Sequence, residues 1–403
     1  MNNNNEEHSI DNSATRNNGM HTVPCVSVLM PSLNTASYIR EALDSVVNQT
    51  LKDIEIICID AGSTDGTREI IGEYAERDSR IRVIDSPVKS YGYQMNVGLD
   101  AARGEYLAIA ESDDYVDADM MKQLYDIAVD NNLDFVKSDL IKFTRESDIQ
   151  HNKIFPLSSE REIYGRLMNP SENPALLNLL MNTYTGIYSL RFLRENGIRH
   201  NETPGASFQD NGFWFRTFVV AKRAMFVDKA FYYLRRDNPN SSIYSKGKVY
   251  CANEEYADIS RWLYRRERKV CERFLPSLIY HKFRAYDFSL WRIADEYKFE
   301  YAMCMFGVFK DADCAGLIDR SLFDKKMKSK LDALLSDPIE FAFGSLSRAG
   351  RVRLCSTFRR HMSVGKRFLH ENPLVRMVQC YRDNGLFYTL RRIFFGKQNG
   401  RKG

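Results

Sequence analysis

From Val26 onward, apolar runs of four to six residues alternate with stretches whose apolar residues recur at helical spacing. The runs are Val26–Met30, Ile54–Ile59, Ile81–Ile84, Tyr106–Ala110 and Asp134–Lys137; between them lie the helical patterns Ala36–Asn48, Gly66–Arg77, Tyr93–Arg103 and Ala118–Asn131. Unbroken apolar strands separated by amphipathic helices predict an α/β fold with a mostly parallel sheet and helices on both faces. Ligands of such sheets bind beyond the carboxyl ends of the strands. Three polar loops emerge there: Pro31-Ser32-Leu33-Asn34, Asp60 to Gly66, and Glu111-Ser112-Asp113-Asp114. Residues 1–22 are polar, lack any apolar period and read as a disordered leader. Residues 150–245 are mixed and aromatic-rich, and from about 246 to 403 the pattern is helical, read as a separate α-helical region.

Composition narrows the class. The net charge of +4 is too small to argue for nucleic acid, but residues 351–403 alone carry +11, which leaves −7 on residues 1–350. The chain is an acidic body with a basic tail. Eight scattered cysteines without a Cys-x-x-Cys pair argue against structural zinc and a disulfide framework, and fit a reducing cytoplasm. No apolar stretch approaches the roughly 18 to 20 residues of a membrane span, and the N-terminus is not signal-like.

Three carboxylates within four positions at a strand exit are what packing alone would avoid, because like charges repel and cannot be buried unpaired. Asp113 and Asp114, with Glu111, suit magnesium or manganese holding a diphosphate; the alternative is a helix cap, which needs only one of them. Asp60 precedes a turn and suits a ribose or a base N–H, whereas Ser63, Thr64 and Asp65 read as turn and helix-cap residues. Lys89, before a helix start that includes Asn96, suits a phosphate, or else belongs to a plain connecting loop. Asp210, flanked by Phe213-Trp214-Phe215, suits a general base or a helix cap. Arg236, in Arg235-Arg236-Asp237-Asn238, suits a phosphate-gripping loop or a solvated turn.

Together, Val26 to Asn34, Ser45 to Thr50, Asp60 to Gly66, Ala102 to Tyr106 and Glu111 to Asp114 resemble the family 2 glycosyltransferases, which have the GT-A fold and use nucleotide-sugars. Gln209 to Arg216 resembles the family's base loop and Arg236 to Ser242 a loop over the donor; residues 246–403 match nothing nameable. The resemblance implies a glycosyltransferase domain over 23–245, with 23–140 binding the donor and 141–245 forming the acceptor side. Pro31, Ser32, Asn34 and Asp60 would hold base and ribose, Asp113 ribose and diphosphate, and Asp114 a divalent metal, Mn2+ or Mg2+. Asp210 would deprotonate the acceptor hydroxyl for a single inverting displacement. Many members carry a second Asp where this chain has Ala61, so UDP is less firmly implied than a nucleotide-sugar.

Arg261-Trp262 lacks the Gln three residues earlier that processive members carry, which implies transfer of single sugars, as in cell-surface polysaccharide or glycolipid assembly. The implied partners are the donor and a saccharide or lipid-linked saccharide acceptor. The segment Tyr388–Phe395 with Lys397, Arg401 and Lys402 reads either as an interfacial helix on an anionic membrane or as an ordinary basic helix. Two rivals remain: a nucleotidyltransferase, disfavoured by the absence of a Gly-rich phosphate loop after the first strand, and a non-catalytic saccharide- or membrane-binding relative.

Overall fold

The computed structural model describes residues 23–147 and 149–351. The expected leader and the basic segment 388–402 lie outside them.

Four strands, β1 (Val26–Ser32), β2 (Ile54–Asp60), β3 (Ile81–Asp85) and β4 (Tyr106–Ile109), pair in parallel in the order β3-β2-β1-β4. Every residue of β1 and β2 is buried, as mostly apolar runs require when helices cover both faces; the polar Ser27 and Glu55 bond to each other at 2.6 Å. Register places Ser32 opposite Asp60, so the loops after β1 and β2 leave the sheet together. Helices α1 (Ile39–Val47), α2 (Thr67–Arg77), α3 (Tyr91–Ala101) and α4 (Met120–Asp130) connect or flank these strands. In α1, Ile39, Ala42, Leu43 and Val46 form one buried stripe.

The sheet then changes direction. The short β5 (Tyr115–Val116), the hairpin β6 (Phe135–Glu146) and β7 (Ile149–Phe155), β8 (Gly186–Ser189) and β9 (Ala224–Arg235) extend it to nine strands, in the order β3-β2-β1-β4-β8-β6-β9-β5 with β7 on β6. β8 runs antiparallel to both β4 and β6, whereas β9 runs parallel to β6. The strand expected over 134–137 continues to Glu146, because the polar residues of its second half alternate with buried ones. Gly186 lets β8 approach β6 closely: a Cβ there would lie 2.2 Å from the Val136 carbonyl oxygen.

The rest is helical. α5 (Leu190–Glu195) follows β8, α6 (Gln209–Val220) crosses beneath the sheet, and α7 (Cys251–Tyr264), α8 (Arg268–Arg292), α9 (Asp295–Cys314), α10 (Lys325–Ser336) and α11 (Pro338–Ser345) complete the described chain. The helical end shares the core of the sheet region: one buried cluster runs from Leu29 and Ile59 through Trp214 and Phe218 of α6 to Tyr256, Leu278, Phe283 and Phe306. Two polar staples reinforce the α6–α7 contact: the Gly212 N–H donates to Glu255 Oε1 at 2.8 Å, and Arg216 pairs with Asp258. No described helix is long and apolar enough to cross a membrane.

Candidate active site

Sequence places polar residues after β1 and β2, and hydrogen bonds fix the resulting loops to one another. Asn34, held at a positive φ of 55°, donates its backbone N–H to Ser63 Oγ (2.9 Å), and its Oδ1 accepts from the Thr64 N–H (2.9 Å). Asp65 Oδ2 accepts from the Ala36 N–H at 3.0 Å. Gln94 of α3 donates to the Ser32 and Ile59 carbonyls at 3.0 and 2.6 Å, pinning both strand ends. The loop entering α3 is tied to residue 205, with the Tyr91 N–H on the Gly205 carbonyl and the Gly205 N–H on the Lys89 carbonyl. Gly92 is required at that crossing: a Cβ would lie 1.9 Å from the Asn201 carbonyl oxygen.

A cleft of about 1170 Å³ opens above these strand ends. It is lined by Pro31, Ser32, Asn34, Lys89, Asp113, Asp114, Asp210 and Arg236, so eight of the ten residues singled out from sequence meet in one space. Asp60 and Asn96 are not among its lining. The Asp60 carboxylate is buried, and a buried carboxylate takes whatever donors are nearest. It accepts from the Gly62 and Ser63 N–H groups (3.0 and 2.9 Å) and from the Ser63 and Ser32 hydroxyls (2.5 and 3.2 Å). Its work is to shape the loop that presents Ser32 and Asn34. Asn96 faces the chain at 200–202 instead, donating to the His200 carbonyl (2.9 Å) and Glu202 Oε1 (2.7 Å) and accepting from the His200 N–H.

The acidic strand exit is held from the far edge of the sheet. Asp114, almost wholly buried, accepts from the Arg235 N–H at 2.7 Å and the Tyr232 hydroxyl at 2.9 Å, while Asp113 Oδ2 accepts from Asn238 Nδ2 at 2.8 Å. The buried Arg235 guanidinium ties this edge together, donating to the Asp113 carbonyl (2.8 Å) and Glu41 Oε2 (2.5 Å), with a weaker reach to Asp237 Oδ1 (3.3 Å). Arg236, next to it, has no hydrogen bond from its guanidinium to any described residue and looks into the cleft.

Burial raises the carboxylic acids of this cleft, and neighbouring charges add to the rise at the strand exit. Burial pushes the Glu111 acid up to about 8, opposed by the hydrogen bond from the Tyr91 hydroxyl (2.7 Å) and aided by the charges of Asp113 and Asp210. Asp114 is driven well above the usual carboxylate range by burial first and the Asp113 charge second. Asp210, in the first turn of α6, rises to about 6 through burial, against the pull of the backbone N–H groups at the helix start. An acid held near neutrality beside an open cleft suits a group that takes and returns a proton.

The far wall of the cleft comes from residues that the sequence pattern does not single out. Tyr91 and Tyr184 line the cleft, as do Lys248 and the α8 residues His281, Arg284, Phe288 and Arg292. The helical character of this region was visible in sequence, but nothing there placed α8 against the strand ends.

The model of glycosyl transferase family 2 matches residues 27–194. The chain is 30% identical over 225 residues to the uncharacterized glycosyltransferase EpsJ of Bacillus subtilis, covering 54% of this chain and 63% of that one. It is 29% identical over 226 residues to the cholesterol galactosyltransferase of Borreliella burgdorferi, covering 54% and 62%. The chain thus spans less than two thirds of the length of these relatives. Among solved structures, residues 1–349 of S. aureus TarS in complex with UDP-GlcNAc share the fold at a TM-score of 0.58 and 18% identity, over 82% of this chain and 92% of that one.

Proposed function

We propose, from the match of residues 27–194 to glycosyl transferase family 2, that the chain transfers a single sugar from a nucleotide-sugar, with UDP as the first nucleotide to test, to an acceptor hydroxyl with inversion. The observation that carries the reading is the meeting of Asp210 with the 111–114 carboxylates, Lys89 and Arg236 in one cleft, although these residues come from four separate segments of the chain. Ser32 and Asn34 bind the nucleoside end, and Lys89 and Arg236 complement the diphosphate charge. Asp210 takes the proton of the acceptor hydroxyl as that oxygen bonds to the anomeric carbon. The bond from that carbon to the diphosphate breaks with its electron pair leaving on phosphate. Asp210 then releases its proton to solvent.

The residues present fit a divalent cation on condition that the substrate completes its shell. Among the described residues no three His, Cys, Asp or Glu side chains form a metal cluster by themselves. Mg2+ or Mn2+ commonly uses one or two carboxylates and substrate phosphates, and Asp114 and Asp113 are the oxygen ligands at the right strand exit. Bound there, the ion would neutralise charge on the leaving diphosphate. The close acidic neighbours support this, since Asp113 and Glu111 add to the burial that already raises Asp114, and a cation relieves both.

The biological setting we favour is cell-surface polysaccharide or glycolipid assembly from the cytoplasmic side, with an acceptor that is free or lipid-linked. Thermal-shift screening of the full chain against UDP, GDP, dTDP and their common sugars, with and without manganese, tests the donor. A stabilisation by one diphosphate that requires manganese and disappears in Asp114→Asn is expected. Equal stabilisation of wild type and variant, independent of the metal, would remove the metal assignment.

A further inference from the structure

Helix α8 lies beyond the family-matched segment, yet one of its faces walls the same cleft. Arg284, Phe288 and Trp291 stand at i, i+4 and i+7, which is one stripe of an α-helix. All three are exposed, Trp291 to 70%, and Arg284 and Phe288 line the cleft itself. Large aromatic rings left in water at the mouth of a polar cleft mark a contact surface.

The stripe is fixed in place. Phe288 meets the ring of Phe208 edge-on at 6.1 Å, and Arg292 lies over Phe208 at 5.1 Å. Arg292 is in turn held by hydrogen bonds to Ser207 Oγ and the Lys248 carbonyl, both at 3.0 Å. Trp291 continues outward from Phe288, with ring centres 5.8 Å apart and planes inclined by 37°. Phe208 is the residue at which α6 begins, held at a positive φ of 70°, two positions before Asp210. The aromatic wall and the proposed base are therefore mounted on the same turn.

A pyranose ring presents C–H groups on its faces and hydroxyls on its rim. Aromatic faces carry negative quadrupole density that attracts C–H groups, and a guanidinium offers five donors to rim oxygens. Two tilted rings followed by an arginine that makes no hydrogen bond to a described residue match that chemistry. A bilayer fits less well, because Arg284 and Phe288 look into a cleft that also holds Asp210 and the 111–114 carboxylates. We propose that Arg284, Phe288 and Trp291 form an acceptor subsite that takes the second sugar ring of a saccharide of at least two residues, whose terminal ring offers its hydroxyl to Asp210. This deepens the glycosyltransferase reading and rests on it.

The test compares p-nitrophenyl monosaccharides with the corresponding disaccharides of glucose, galactose and N-acetylglucosamine. Binding to the full chain is followed by calorimetry, in wild type and in Phe288→Ala/Trp291→Ala. At least one disaccharide is expected to bind wild type about tenfold more tightly than its monosaccharide, and that ratio is expected to fall to about one in the double variant. A ratio unchanged by the double variant, or no disaccharide preference in wild type, overturns the subsite. So does binding of wild type to anionic phosphatidylglycerol vesicles that the double variant loses, which assigns the stripe to a membrane. Calorimetry of wild type with UDP, GDP and dTDP separates the two levels: loss of all nucleotide binding overturns the glycosyltransferase reading, whereas nucleotide binding without disaccharide preference overturns the subsite alone.

Discussion

Replacing Glu255 by Gln should stabilise the protein near neutral pH, although it alters a residue that holds the helix carrying Asp210. Glu255 is 1% exposed; one carboxylate oxygen accepts the Gly212 N–H, and the other has no hydrogen-bond partner. Burial raises its acid from 4.5 to about 8, opposed by Asn201 and Arg216 and aided by Asp210. At pH 7 the folded protein therefore holds this side chain protonated, whereas the unfolded chain would ionise it. Maintaining that proton across about 2.5 pH units costs about 3 kcal/mol at 1.36 kcal/mol per unit. Gln keeps an oxygen for Gly212 and is neutral in both states, so it lifts this cost. The sign follows from linkage: with the folded pKa raised, the folded state binds more protons between pH 4.5 and 8, and wild-type stability falls through that window as pH rises. Urea unfolding of both proteins from pH 5 to 8 is the assay. The variant's advantage should be small at pH 5 and about 3 kcal/mol at pH 7, or roughly 5 °C in Tm. A variant no more stable than wild type at pH 7, or an advantage that does not change with pH, refutes the reasoning.

With Asp210 raised to about 6, kcat/KM for transfer should fall tenfold per pH unit below pH 6; a break near 4 would identify an ordinary carboxylate and a different base. Asp210→Asn should reduce transfer by at least about a hundredfold while the thermal melt stays cooperative. Arg235→Lys keeps the charge but loses the planar fork that joins the Asp113 carbonyl to Glu41, and should raise the donor KM and cost about 2 kcal/mol in urea unfolding; an unchanged KM would show that Asp113 is held without it.

The half of the fold that sequence displayed is the half whose strands are buried on both faces. Val26–Ser32 and Ile54–Asp60 are mostly apolar, fully buried runs and announce themselves, whereas β8 is four residues long and β9 is interrupted by exposed Asp228 and Lys229. The site followed the same division. Residues at strand exits were found by position, since the register of a parallel sheet brings its exits together. Asp60 also ends a strand, but its carboxylate turns to the Gly62 and Ser63 N–H groups, and Asn96, inside α3, turns to His200 and Glu202; those partners exist only once the chain has folded. The α8 wall depends on packing between segments 85 residues apart, such as Arg292 on Ser207, which periodicity does not encode.

The shared core has a consequence for how this protein is cut and recombined. Similarity to EpsJ takes in only 54% of the chain, which invites treating the helical end as a detachable module. Trp214 and Phe218 of α6, however, belong to the same buried cluster as Leu278 and Phe283 of α8. A chimaera joined near residue 246 would expose that seam and remove the Glu255 and Asp258 staples, so an exchange of acceptor preference between relatives has to move α6, α7 and α8 as one cassette.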